Sequence, residues 1–196
     1  MTIRFATILF SLFFPAISAF AQPQLPPPID WPVQNIQQET PVWCWVAVAQ
    51  QIILARVGPQ KTPPQCALVA IANQWHPQAC CGQYNPNCVK TGSTPQIQFL
   101  IQQFGLSHTS YAPPAAPMVL YNTLNSGRVI ILQVQTGQTQ YHVVVLRGMY
   151  FEMTPNGMEP ILIINDPMAY YTQPVPYSQI VQAWRSAIVV QPSPNW

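Results

Sequence analysis

The sequence predicts an α+β domain, helical in its first half and an antiparallel sheet in its second. Three observations carry that prediction. Apolar residues recur at helical spacing up to about Asn125; from Arg128 onward they gather in β-branched runs separated by turn residues; and no internal repeat or change of composition divides the chain. Helices first and sheet second are most easily packed face to face around a cleft.

The first stretch stands outside the fold. Met1 to Arg4 is a short basic region, Phe5 to Phe20 is apolar, and Ala19-Phe20-Ala21 is a small-residue cleavage site, so residues 1-21 read as a secretory signal peptide cut between Ala21 and Gln22. Its apolar run is shorter than the 18 or so residues a membrane span needs, and it contains Pro15. Residues 22-33 form a Pro-rich arm, in which Ile29-Asp30-Trp31-Pro32 is placed to pin the chain to the body, and residues 34-196 form one domain. The mature protein is expected to be secreted or periplasmic, with no membrane association after signal removal.

Gln38 to Val57 reads as a turn running into an apolar helix. Thr40 suits the N-cap and Pro41 the first helical position, so Cys44 falls in the first turn and Gly58-Pro59 ends the helix. Unpaired N–H groups and the positive end of the helix dipole favour negative charge there, the condition for a reactive thiolate. Pro64 to Gln74 is a second helix, His76 to Gly92 a cysteine-bearing loop, Pro95 to Phe104 a third helix capped at Ser93 or Thr94, and Met118 to Asn125 a short fourth. Strands follow at 128–135, 141–153 and 160–166, then a loop with Tyr170 and Tyr171, a short helix from Tyr177 to Arg185, and a last strand beginning at Ser186.

Composition excludes several classes of partner. Charged residues are 6% of the chain against about 25% in an ordinary domain. Lys and Arg are scattered singly, so nothing here suits nucleic acid or an anionic membrane surface. Five cysteines in an exported chain leave one unpaired. Cys66, Cys80, Cys81 and Cys88 cluster, and adjacent Cys80 and Cys81 bridge each other only awkwardly, which leaves 66–80 with 81–88 or 66–81 with 80–88; a zinc site on these cysteines and His76 is the competing reading, disfavoured by export and by the lack of C-x-x-C pairs. Cys44 is then the free thiol.

A thiol at a helix mouth needs a base, and the base an orienting group. His76 and His108 sit in polar connectors and read as surface residues. His142 instead opens an apolar strand directly after a turn, and Asp166 ends the next strand, where it could meet the far nitrogen of the ring. Asn165 is the alternative orienting group, because strand parity decides which side chain points inward. Gln38 lies on the turn before the helix, where its amide could join the Cys44 N–H on an oxyanion. Trp43 and Trp45 flank the thiol, as substrate-binding residues or as core packing.

Gln38, Cys44, Trp45, His142 and Asp166, in that chain order, resemble the papain-like cysteine peptidases. Papain's histidine follows its cysteine by about 130–150 residues; the compact spacing here, the segment QETPVWCWVAVAQQI and the C…CC…C cluster are more similar to the short bacterial papain-like cysteine proteases of the avirulence-effector type. The resemblance implies a Cys44–His142–Asp166 triad with Gln38 in the oxyanion hole, acting on a protein or peptide substrate. No cofactor and no metal is expected, and any activating or inhibitory protein partner stays unnamed. The same triad serves an amidase or transglutaminase acting on cell-wall peptide or protein glutamine, and the scaffold without turnover would be a binding module.

Overall fold

The computed structural model describes residues 24–111 and 114–191. The predicted signal peptide and its cleavage site, Ala21/Gln22, lie outside the described residues, as do Gln22 and Pro23 at the start of the arm. Element order is β1 (Ile29–Asp30), α1 (Cys44–Val57), α2 (Gln65–Ala72), α3 (Thr94–Gln103), β2 (His108–Tyr111), α4 (Pro117–Asn125), β3 (Val129–Gln135), β4 (Tyr141–Thr154), β5 (Gly157–Asn165), β6 (Val175–Pro176), α5 (Tyr177–Ile180) and β7 (Trp184–Val190). The chain is α+β, as its sequence patterning predicts.

The sheet runs β2-β7-β3-β4-β5-β6, every pair antiparallel, with β1 added against β4. Both of its faces are covered. On one, Val129, Ile131, Val143, Val145 and Ile188 pack against α1, α2 and α3; on the other, Ile130, Leu132, Val134, Val144 and Leu146 meet Leu120 and Leu124 of α4 together with Trp184. Double coverage explains why these strands are unbroken apolar runs, since neither alternating set of side chains faces water. The fourth helix therefore does not join the other three: it crosses to the opposite face of the sheet.

Helix α1 is the centre of the helical layer. It is apolar nearly all round, and Val46 to Ala49, Ile52 and Ile53 are fully buried, as expected of a helix with protein on most sides. Its start differs from the sequence expectation. Thr40 and Pro41 belong to a turn closed by the Trp43 N–H on the Thr40 carbonyl at 3.2 Å, Trp43 stands at the N-cap position, and Cys44 is the first helical residue. Pro41's fixed φ suits a turn as well as a helix start, and sequence alone does not separate the two. Ser93 does cap α3, in a reciprocal capping box with Gln96.

Three short strands were not foreseen. One is β2, which takes His108 out of the expected connector and pairs it with Val190; another is β6. The third, β1, pins the arm: Ile29 and Asp30 pair with Met149 and Gly148, and a Cβ on Gly148 would stand 2.3 Å from the Ile29 carbonyl oxygen, so only glycine admits the arm there. The register of β4 against β5 shifts between Leu146 and Gly148, freeing Arg147 to pair with Asp30 and to donate to Asn165 Oδ1 at 3.0 Å. The expected helix from Tyr177 to Arg185 stops at Ile180, and Trp184 and Arg185 already belong to β7, paired through Trp184 with Val134.

The loop after α2 is fastened by Cys66–Cys81 and Cys80–Cys88, one of the two connectivities left open by the sequence. Cys44 is the free thiol.

Candidate active site

The N-terminal end of α1 and the start of β4 meet along a cleft of about 500 Å³. From the helical side it is lined by Cys44, Trp45 and Thr91 to Thr94; from the sheet side by Gln140, Tyr141, His142, Met168 and Tyr170. Among the described residues, no Asp, Glu, Lys or Arg lines it.

Cys44 is half-buried at the first position of α1. The Trp43 carbonyl accepts the N–H groups of Val46 and Ala47 and so opens the helix, while the Cys44 N–H, among the first four, has no partner within it. The flanking indoles fix the turn. Trp43 Nε1 donates to the Cys88 carbonyl at 2.9 Å and Trp45 Nε1 to the Lys90 carbonyl at 3.3 Å, so both tie the helix mouth to the disulfide-stapled loop. Gly92 lies flat on the Trp45 ring, where a Cβ would come within 2.1 Å of the indole. Trp45 lines the cleft; Trp43 lines a smaller pocket across the turn, of about 320 Å³, and does not reach the thiol's side.

His142 is the second residue of β4 and is buried; Asp166, the first residue after β5, is fully buried beside it. Strand pairing sets their approach, and His142 Nε2 lies 2.6 Å from Asp166 Oδ1. Asn165, one residue earlier, points elsewhere: it donates to the Val33 carbonyl at 2.7 Å and accepts from Arg147. The carboxylate of Asp166 also accepts the N–H groups of Met168, Tyr170 and Tyr171 at 2.8–3.0 Å, so the loop after β5 is folded around it. Ala169, inside that loop, adopts a φ of 58°, held there by the same bonds.

The electrostatics follow the geometry. Burial alone lowers the pKa of His142, but the Asp166 hydrogen bond, the Cys44 sulfur and the charges of both outweigh it and push it up to about 9. Burial would raise Asp166, yet the His142 bond and the backbone N–H groups hold it below the ordinary carboxylate range. Both shifts favour the imidazolium–carboxylate form. The other ring nitrogen, Nδ1, is buried and has no hydrogen-bond partner of ordinary geometry, although Cys44 is near enough to act on the ring's titration. The arrangement is one that can hold a proton between a thiol and an imidazole and fix the ring from behind.

Gln38 stands apart from these. Its Nε2 donates to the Thr40 carbonyl at 2.7 Å, its Oε1 is buried without a partner, and its side chain does not line the cleft. His76 accepts the Gln78 N–H in the stapled loop, and His108 is half-buried in β2, where burial lowers its pKa. Among the described residues no group of three His, Cys, Asp or Glu could hold a metal ion. One cleft residue was not anticipated. Tyr170 sets its ring edge-on to His142, centroids 5.7 Å apart, and a tyrosine in an irregular loop carries no periodic signal that would have found it.

No curated protein sequence matches the chain significantly. A protein assigned as a C39-like peptidase from Bacillus anthracis is similar in fold, with a TM-score of 0.56 at 15% identity over 84% of this chain and 98% of that one. SERA5E from Plasmodium falciparum is more distantly similar, with a TM-score of 0.43 at 11% identity over 82% and 91% of the two chains. The model of the family described as papain-like cysteine protease AvrRpt2 matches residues 28–179. The chain therefore belongs to the AvrRpt2 family of papain-like cysteine proteases, and it is a cysteine peptidase whose substrates are proteins or peptides.

Proposed function

We propose that the mature protein is an exported bacterial peptidase that hydrolyses peptide bonds through Cys44, His142 and Asp166. The observation that supports this most directly is a buried His142–Asp166 pair opening onto the same cleft as the one free thiol among the described cysteines. Cys44 Sγ, its proton held by His142, attacks the carbonyl carbon of the scissile bond. The developing oxyanion takes the Cys44 N–H, and Gln38 joins it by turning its amide from the Thr40 carbonyl into the cleft. Breakage of the C–N bond passes the imidazolium proton to the leaving amine. Water, deprotonated by His142, then releases the acyl group from sulfur. Asp166 keeps Nδ1 facing the thiol by holding Nε2.

Residues 1-21 are assigned as the signal peptide, 22-33 as the arm and 34-196 as the peptidase domain. Two disulfides support export, because such bonds persist in oxidising compartments. No helix among the described residues is long and apolar enough to cross a membrane.

The test is iodoacetamide labelling of the oxidised protein between about pH 4 and 9, located by mass spectrometry, with His142→Ala alongside. Labelling confined to Cys44, rapid on the acid side and suppressed in the variant, is expected; equal rates in both proteins overturn the reading. N-terminal sequencing of the exported product checks the Ala21/Gln22 junction.

A further inference from the structure

We infer that residues 33–39 are a strap that sets the distance between Cys44 and the His142–Asp166 pair, with Asn35 and Gln51 as its positioning residues. This rests on the catalytic reading above. The strap runs between the helical layer and the end of β5, and it is bonded to both. On the sheet side, Asn165 Nδ2 donates to the Val33 carbonyl at 2.7 Å, Asn35 Nδ2 to the Asp166 carbonyl at 3.1 Å, and the Gln38 N–H to the Pro167 carbonyl at 3.1 Å. On the helical side, Gln51 Nε2 donates to Asn35 Oδ1 at 3.1 Å and to the Ile36 carbonyl at 3.2 Å. Gln65 of α2 accepts the Glu39 N–H at 3.0 Å and donates to the Gln37 carbonyl at 2.8 Å.

Asn35 is the crossing point. Its two amide atoms join Gln51, on the helix that carries the thiol, to the residue that holds the imidazole. Gln51 follows Cys44 by about two helical turns and so lies on the same face of α1. A shift of that helix along the sheet must break the Gln51–Asn35–Asp166 connection before it moves the thiol off the ring.

Burial makes the same argument from cost. Gln51 is 0% and Gln65 1% exposed, beside a core of apolar side chains. A buried amide is unfavourable unless its hydrogen bonds are made, and Gln51 Oε1 has no partner among the described residues. Leucine at residue 51 would pack without that desolvation cost. What the amide does that leucine cannot is hold the strap in register.

The experiment compares Asn35→Ala and Gln51→Leu with Tyr121→Phe. Tyr121 anchors the arm farther upstream, through its hydroxyl on the Pro27 carbonyl at 3.0 Å, and packs in the core on the α4 face of the sheet. The readouts are thermal unfolding and the pH profile of Cys44 labelling by iodoacetamide, taken well below the melting temperature. Asn35→Ala and Gln51→Leu are expected to slow labelling on the acid side about tenfold while the folded signal persists, since misplacement of about 1 Å costs up to a hundredfold in reactivity. Tyr121→Phe should lower the melting temperature and label at the wild-type rate. Wild-type labelling in a folded Asn35→Ala protein overturns the inference alone. Wild-type labelling that His142→Ala leaves unchanged removes the catalytic reading and the strap's role together.

Discussion

On the helical side of the cleft, Cys44 is presented by a helix mouth whose flanking indoles reach for carbonyls in an irregular loop, and that loop keeps its shape through two disulfides. On the sheet side, His142 and Asp166 are brought together by strand register, and the loop beyond Asp166 is gathered by backbone N–H groups on one carboxylate. One wall depends on covalent cross-links and packing, the other on a charge and the bonds it accepts. The first should therefore answer to redox conditions and the second to pH, and variants in each should fail in different ways.

Removing the charge is the severest test of the sheet wall. Asp166→Ala strips the buried His142 of its partner and leaves three backbone N–H groups without an acceptor. Truncating one member of a buried, hydrogen-bonded pair costs about 3–5 kcal/mol, and loss of the orienting group about 10⁴-fold in turnover where it has been measured in other triads. Urea unfolding and peptidase assays read both. A loss under about 1 kcal/mol would mean that the carboxylate does not organise this wall, and the comparison would break there.

The helical wall is tested by Cys80→Ser with Cys88→Ser. Opening that short covalent loop should cost about 2.5 kcal/mol by chain entropy. Reduction of both disulfides should in addition release the Cys88 and Lys90 carbonyls from Trp43 and Trp45, raising KM as the cleft wall loosens. The alkaline limb of activity, set on the other wall, should not move. If the serine variant shifts that limb, the walls are coupled more closely than their bonding suggests.

Much of this division was legible in the sequence. The β-branched runs gave the sheet; of the free cysteine at a helix mouth, the histidine opening a strand and the acid ending the next, Cys44 and His142 line one cleft and Asp166 is buried behind the ring it bonds. What escaped was whatever depends on direction without periodicity. The choice between Asn165 and Asp166 is one of strand parity, decided by the register of β5 and by the Val33 carbonyl that captures Asn165. Two-residue strands such as β1 and β6 are too short to show alternation, and β2, HTSY, is polar enough to read as a connector. Asn35, Gln51 and Gln65 are uninformative in so amide-rich a chain until their partners across the cleft are known. Trp43 and Trp45 look equivalent in sequence, and only the helix start at Cys44 sends one into the cleft and the other away from it.

The pH dependence sharpens the account of the sheet wall. His142 binds its proton more tightly folded, with a pKa of about 9, than unfolded near 6.5, so its contribution to stability is whole below pH 6.5 and disappears as pH rises through 9. Asp166 is depressed, so its contribution is present above the ordinary carboxylate range and lost as pH falls through its lower folded value. Melting temperature should therefore be highest between roughly pH 4 and 6.5 and decline toward 9, with turnover falling on the alkaline side as the imidazolium loses the proton meant for the leaving amine. In Asp166→Asn the alkaline decline should begin at lower pH. An unchanged profile would show that the carboxylate's charge is not what holds the proton.

The smallest effect belongs to Tyr170, and it separates the backbone of the sheet wall from its side chains. The Tyr170 N–H is held by Asp166 whatever side chain the residue carries, so substitution leaves the loop intact. Its ring meets His142 edge-on, a contact of the kind worth about 0.5–1.5 kcal/mol beyond area burial. That range corresponds to about two- to twelvefold in rate, if the ring keeps the imidazole in the orientation that faces the thiol. Tyr170→Phe keeps the contact and should match wild type, because no hydrogen bond of the hydroxyl enters the argument. Tyr170→Ala should lower kcat by the stated factor while melting within a few degrees of wild type. Equal loss in both variants would point instead to a hydroxyl acting on substrate, and would move Tyr170 from the support of His142 to the lining that reads the peptide.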